Sequence, residues 1–558
     1  MKVKYLLEIE NPQTHQVKLR IDVSENNLNE IELFLPSWSP GSYLMREYSK
    51  HLSKFKVLDK SGSFIEYEKI KKGTWSLKSA PKEFSVEYLI YCHELTVRTS
   101  HVDNSHAFLH LPCLLMGVSN YVFIAPEIEL RFPAAWSKVI TGLEDISTNR
   151  EVFIYKADNY DDLLDCPIEI GNHESDGFKV QGKDHHLAFY GATWPHSQDL
   201  KGDIKKIVET VSDYMIDIPY DHYSFITHFA PNLYGGLEHK NSTVLAFDGR
   251  KLNNRKDYIK WLTLTTHEYF HTWNVKRIRP VELGPFDYQN ENYTSMLWLA
   301  EGLTSFMDNY LTLKTGLISE KEYWELIRDD LNLYFSIPGR KYDSLEASSF
   351  DAWIKLYRPH ENSRNSTISY YLKGGLVFLV LHARLLELGK TMKVLTDALW
   401  NHYKARPDQG INKSEFMDLV RKVSNEKIAE EFEMMIETTE EIDFAGILNT
   451  HSIEINFDQG KYHLGLRPEF KQEQVFIHSI IEDGLAYKMG LNAGDEIISI
   501  NGTRISKKFF NSLSSYLAKD ADHSITVSRL GRLFEFKFRV EKTQKLVKNI
   551  VDHKKIKW

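Results

Sequence analysis

The segment His267-Glu268-Tyr-Phe-His271 sets the strictest condition on how this chain folds. Apolar Ile259, Leu262 and Leu264 precede it in a stretch free of Pro and Gly, so it reads as part of a helix. Residues i and i+4 share a helix face, so both imidazoles can reach one tetrahedral zinc while Glu268 stands beside an activated water. Thirty residues beyond His271, Trp298-Leu-Ala-Glu301-Gly lies on a second helical segment. Glu301 offers the carboxylate that completes a His₂Glu set with an open fourth position, and the expected cofactor is one zinc per chain.

Two further segments carry candidate chemistry. Tyr234-Gly235-Gly236-Leu237-Glu238 reads as a glycine turn presenting a carboxylate just before the metal helix. It fits an anchor for a substrate's α-ammonium, and it equally fits a turn with a solvated Glu. Tyr370-Tyr371-Leu-Lys-Gly374 opens a long apolar helix, where a tyrosine hydroxyl either donates to an oxyanion or simply packs.

Length and patterning organise the remainder. With 558 residues the chain is long enough for about three or four domains. Val17, Leu19, Ile21 and Val23 alternate with polar residues, and Ile31, Leu33 and Leu35 repeat the pattern, which predicts an antiparallel β domain over 1–170. Helical spacing takes over after about residue 200, apart from a short strand over 224–229, with caps signalled by Ser319 with Glu322 and Asn412 with Glu415. Strands return near 455, and 546–558 reads as a basic, solvated tail. The net charge of −8 provides no global field for nucleic acid. Cys92, Cys113 and Cys166 are widely spaced, so neither a disulfide framework nor a cysteine metal site is expected. The expected location is cytoplasmic, or periplasmic or secreted if an export signal has been removed, and no membrane span is expected. His101, His106, His110, His222 and His228 show no partner at ligand spacing and read as core or surface residues.

The order and separation of Gly-Gly-Leu-Glu238, His-Glu-Tyr-Phe-His, Trp-Leu-Ala-Glu301-Gly and Tyr371-x-Lys-Gly resemble the functional motifs of the aminopeptidase N superfamily of gluzincins. Trp38-Ser-Pro-Gly41-Ser-Tyr43, the string His267 to Pro280, and Ser349-Phe-Asp-Ala-Trp353 resemble one branch, the glycyl aminopeptidase family. That resemblance implies an N-terminal β domain (1–170), a thermolysin-like, mainly α catalytic domain (171–450) and a PDZ domain (455–545), a multidomain α+β architecture. Residue by residue it implies zinc on His267, His271 and Glu301, Glu268 as general base, Glu238 with Gly235 and Gly236 at the substrate's amino terminus, and Tyr371 as oxyanion donor. It also implies preference for a first residue of Gly or Ala. The anchor departs from the superfamily's Gly-x-Met-Glu-Asn at Leu237 and His239, and Ala300 replaces a frequent Asn, so support for the ligands is expected from Thr304 or Ser305.

Gly484 to Gly502 resembles the PDZ pattern of small-residue helix, Gly494-Asp495 turn and apolar strand ending in Asn501-Gly502. Gly465 and Leu466 then stand where a carboxylate-binding loop precedes a strand edge, although Arg467-Pro468 departs from the familiar loop. The expected partners are peptide substrates and a peptide or protein C-terminus at this module. The alternatives are a zinc endopeptidase whose PDZ domain recruits unfolded termini, and an inactive peptide-binding scaffold.

Overall fold

In the strand Gln16–Ser24, Val17, Leu19, Ile21 and Val23 are buried while the intervening residues are only partly covered, as a sheet with one face on a core requires. That strand belongs to a computed structural model describing residues 1–148, 152–191, 196–407, 409–458, 463–517, 521–540 and 545–554. The chain divides into two units: Met1–Thr294 with Met307–Ile318 and Thr396–Lys413, and Ser295–Phe306 with Ser319–Leu395 and Ser414–Trp558.

The first unit opens with a seven-stranded sheet in which Lys2–Glu8 pairs antiparallel with Gln16–Ser24 and parallel with Glu127–Arg131. The sheet is antiparallel, as expected, apart from this one parallel ladder, where a long connection lets the chain return in the same direction. Two four-stranded sheets complete this β region, one of them ordered Lys138–Thr141, Ile168–Gly171, His106–Leu109 and His101–Val102. A five-stranded mixed sheet follows, ordered Glu174–Val180, Lys183–Gly191, His222–Phe229, Ser242–Phe247 and Tyr234–Glu238. Only one of these strands was legible in outline. Ser242–Phe247 is buried along its whole length, so it lacks alternation, and Tyr234–Glu238 is disguised by two glycines. The latter is an edge strand antiparallel to Ser242–Phe247, not a turn. Helices Leu200–Met215 and Arg255–Phe270 belong to the same unit.

In the second unit, Glu320–Phe335 starts on the expected Ser319/Glu322 capping box. The apolar helix Tyr370–Glu387 is buried over most of its circumference. A six-stranded sheet includes Leu466–Lys471 as its edge strand, and the buried Asp495 of the Gly-Asp turn receives Arg529 Nε and Nη2, both at 2.8 Å. Leu546–Asp552, expected within a solvated tail, forms a strand antiparallel to Ile453–Asp458. Val547 and Ile550 are both buried, an apolar signal masked by the surrounding lysines. The remainder of that expected tail, 555–558, lies outside the described residues. Among the described residues no helix is long and apolar enough to cross a membrane, and all three cysteines are free and buried.

Candidate metal centre and peptide site

His267 occupies the last turn of the helix Arg255–Phe270 and His271 is its C-cap, so the i, i+4 spacing brings the two rings to 4.6 Å at an 84° interplanar angle. Each ring is fixed through its Nδ1. His271 Nδ1 donates to the Asn274 carbonyl at 2.6 Å, and His267 Nδ1 donates to Asp308 Oδ2 at 2.9 Å. Both imidazoles are thereby held in the tautomer that keeps the Nε2 lone pair for a cation, as ligating histidines require. Burial raises the Asp308 carboxyl above its ordinary range, an effect its hydrogen bond and attraction to His267 partly offset.

Asp308 and Asn274 were missed in the sequence. Support from Thr304 or Ser305 was the expectation; the Thr304 hydroxyl donates to Ala300 O at 2.8 Å, one turn back on its own helical stretch. The usable signal was spacing: Asp308 lies seven residues past Glu301, two turns along one helical stretch.

Glu268, buried beside the two histidines, lies against Gly236, where a Cβ would overlap its Oε1, Cδ and Cγ atoms. Glu238 ends the edge strand with Gly41 over it: a Cβ at Gly41 would stand 2.5 Å from Glu238 Oε1, and the φ of +80° there also favours glycine. The Trp38 to Tyr43 string thus leaves room for this carboxylate, and Trp38 Nε1 anchors the string on the Asp287 carbonyl at 2.8 Å. Glu238 is 5% exposed, and no hydrogen bond or ion pair reaches its carboxylate from the described residues. Atoms of Glu238, Glu268 and His271 suited to hold a cation lie within 4.8 Å of one another.

The rest of this wall is cross-braced. Arg98 Nη2 donates to Gly236 O at 3.1 Å, which gives the Arg98 segment a role in holding the edge strand. His239, the departure next to the anchor, meets Asp165 Oδ1 at 3.1 Å, and Lys276 Nζ meets the same oxygen at 2.6 Å. Burial opposes ionisation of Asp165, but Lys276 and His239 overcome it and hold the carboxyl well below its usual range.

In the second unit, Glu301 lies on a π-helical turn, Trp298–Gly302, and Tyr371 in the first turn of Tyr370–Glu387. These two segments cross at their motif glycines, where a Cβ on Gly302 would lie 2.7 Å from Gly374 Cα. The crossing fixes Glu301 and Tyr371 relative to each other. Ser349 Oγ accepts from Trp298 N at 3.2 Å, and Lys373 Nζ donates to Thr438 O at 3.0 Å, so two more motif residues brace this crossing. Tyr370 is fully buried and stacks on the partly exposed Tyr371 with ring centroids 4.9 Å apart, which separates a packing tyrosine from a reachable one. Gly465, at φ +72°, packs on Gly484, and with Leu466, Arg467, His463 and Arg364 it lines a cavity of about 490 Å³.

The profile of the M61 glycyl aminopeptidase family matches residues 260–377, that of the peptidase M61 N-terminal domain matches 4–172, and that of the PDZ domain matches 452–508. This chain belongs to the M61 glycyl aminopeptidase family. An aminopeptidase N family protein from Idiomarina loihiensis is similar over 97% of this chain and 96% of its own, at 27% identity and a TM-score of 0.92. An M1 zinc metallopeptidase from Deinococcus radiodurans shares the fold over 79% of this chain and 94% of its own, at 12% identity and a TM-score of 0.52. No curated protein matches the chain. M61 membership makes the multidomain α+β architecture, with N-terminal sheets, a helical middle and a C-terminal PDZ domain, that of a peptidase.

Proposed function

We propose that this M61 protein is a zinc-dependent aminopeptidase. The observation that carries the reading is Glu238, a buried carboxylate that no donor among the described residues reaches, standing beside Glu268 and His271. An uncompensated buried anion is costly, and an α-ammonium arriving with the substrate would neutralise it. An endopeptidase would have no use for such a charge at that position. Gly235 and Gly236 keep the adjoining strand edge clear of side chains for the substrate backbone.

His267, His271 and Glu301 would hold one zinc per chain, through Nε2 on each ring and a carboxylate oxygen. The His pair's fixed tautomers support the first two ligands, and the carboxylate of the Trp-Leu-Ala-Glu301-Gly motif supports the third. When bound, the metal polarises the scissile carbonyl and acidifies water. Glu268 takes the water proton on its carboxylate and delivers it to the leaving amine nitrogen. The Tyr371 hydroxyl donates to the oxyanion developing on the substrate carbonyl oxygen. The family's name supports Gly as first residue, small Ala being the next that such a site would take, and Gly465 and Leu466 are assigned to a peptide C-terminus at the PDZ domain.

The test is cleavage of glycyl and alanyl peptides, free and N-acetylated, by the full chain before and after chelation and after zinc return. Free peptides should be cleaved only with metal, and acetylated ones poorly throughout. Equal turnover of both would assign the site to an endopeptidase.

A further inference from the structure

The short hairpin His101–Val102 to His106–Leu109 carries a second cluster with ligand character, made of residues other than those of the HExxH segment. His101, Asp103 and His106 each offer an atom within 4.8 Å of those of the other two. The sequence had suggested isolated histidines; what gathers them is the tight connection, in which Asp103 Oδ1 accepts from the backbone N of Ser105 at 2.7 Å and of His106 at 3.2 Å.

The hydrogen-bond pattern fixes what each group presents. His101 Nδ1 lies 2.8 Å from the His93 carbonyl, which can only accept, so this nitrogen carries the hydrogen and Nε2 the lone pair. Yet that Nε2 faces Asp103 Oδ2, another acceptor, at 3.2 Å. Two acceptors face each other there, and either a second proton on the ring or a cation must lie between them. His106 Nδ1 contacts Glu169 Oε1 at 2.7 Å, and the ring is held flat by Tyr190 stacked with its centroid 3.4 Å away. Carboxylate backing of one ring nitrogen leaves the other as a basic ligand, the arrangement that orients metal-binding histidines. Glu169 itself is fully buried and is shared with His228, whose Nε2 lies 2.9 Å from Oε2, so this support is rigid. The His106 side chain is only 1% exposed, so its ring is held in place on all sides.

We propose that His101, Asp103 and His106 form a second metal site, for zinc or a neighbouring divalent transition ion, separate from the HExxH centre. Two imidazoles and one carboxylate suit such borderline ions better than the oxygen-preferring Mg²⁺ or Ca²⁺. Asp103 is more than one-third exposed, so the ion has an entry path and water can complete the coordination. Its role is structural: the site closes the segment that begins at Arg98, whose guanidinium holds Gly236 in the strand leading to Glu238.

The experiment uses the full chain with the first centre removed, His267→Ala/His271→Ala, titrated with Zn²⁺ after chelation and desalting. It should retain about one zinc equivalent, and adding His101→Ala should weaken binding at least about tenfold. His101→Ala leaves the Asp103 turn intact, and circular dichroism and melting check that each variant is folded. No zinc on the folded double variant would mean an imidazolium–carboxylate pair only and would overturn the proposal. Zinc binding unchanged by His101→Ala would overturn it as well. Should the double variant fail to fold, the wild-type chain loaded with Co²⁺ gives the same decision. His101→Ala should then lose one of two equivalents and part of the visible absorption, and an unchanged metal count and spectrum would refute the site. Failure of the HExxH assignment is distinguishable, because it would appear as the double variant losing no metal relative to wild type.

Discussion

Glu268 lies flush against Gly236, on the edge strand beside its helix, in the space a Cβ would fill. The displaced group in a Gly236→Ala protein would be the end of a flexible side chain, so the fold should survive while Glu268 moves. Because a shift of about 1 Å in a reacting group costs on the order of a hundredfold, kcat should fall by that order with zinc content unchanged. A Gly236→Ala enzyme of normal kcat would remove Glu268 from the role of base.

Asp308 backs His267 through Nδ1, so Asp308→Ala should weaken zinc affinity about 10- to 100-fold without changing the first-residue preference. Competition with a chromophoric chelator measures this. Unaltered affinity would mean that the Asp308 contact only packs the helix.

Glu238→Gln keeps the shape of the anchor and removes its charge. For free dipeptides kcat/KM should drop roughly 10- to 100-fold, while the residual rate on N-acetylated substrates should hardly change. An equal loss on both substrates would show that Glu238 shapes the site rather than recognising the amino terminus.

Tyr371→Phe deletes one oxyanion donor, worth about 3 kcal/mol, so kcat should fall far more than KM rises. Tyr370, fully buried behind it, is the comparison: Tyr370→Phe keeps the packed ring and should leave kcat nearly intact. The reverse outcome would exchange the two assignments.

The parts of the site legible in the sequence were those whose spacing has a direct geometric meaning. His267 and His271 are one helical turn apart, and the alternation around Val17 to Val23 encodes a face. Gly41, Gly302 and Gly374 could be quoted as motif residues but not explained, because each is needed for a close approach to a partner far along the chain. The same holds for Asp308 and for Glu169, whose contacts with His106 and His228 cross 63 and 59 positions. Leu546–Asp552 was misread because its lysines outweighed a short apolar alternation that only a partner strand makes meaningful.

The central claim, that Glu268 supplies proton transfer beside a zinc held by its neighbours, is tested most directly by Glu268→Gln in the full chain. Zinc per chain and kcat on a free alanyl peptide are measured on the same preparation. The account predicts unchanged HExxH zinc with turnover lower by on the order of a hundredfold or more. Full zinc with wild-type turnover would contradict it.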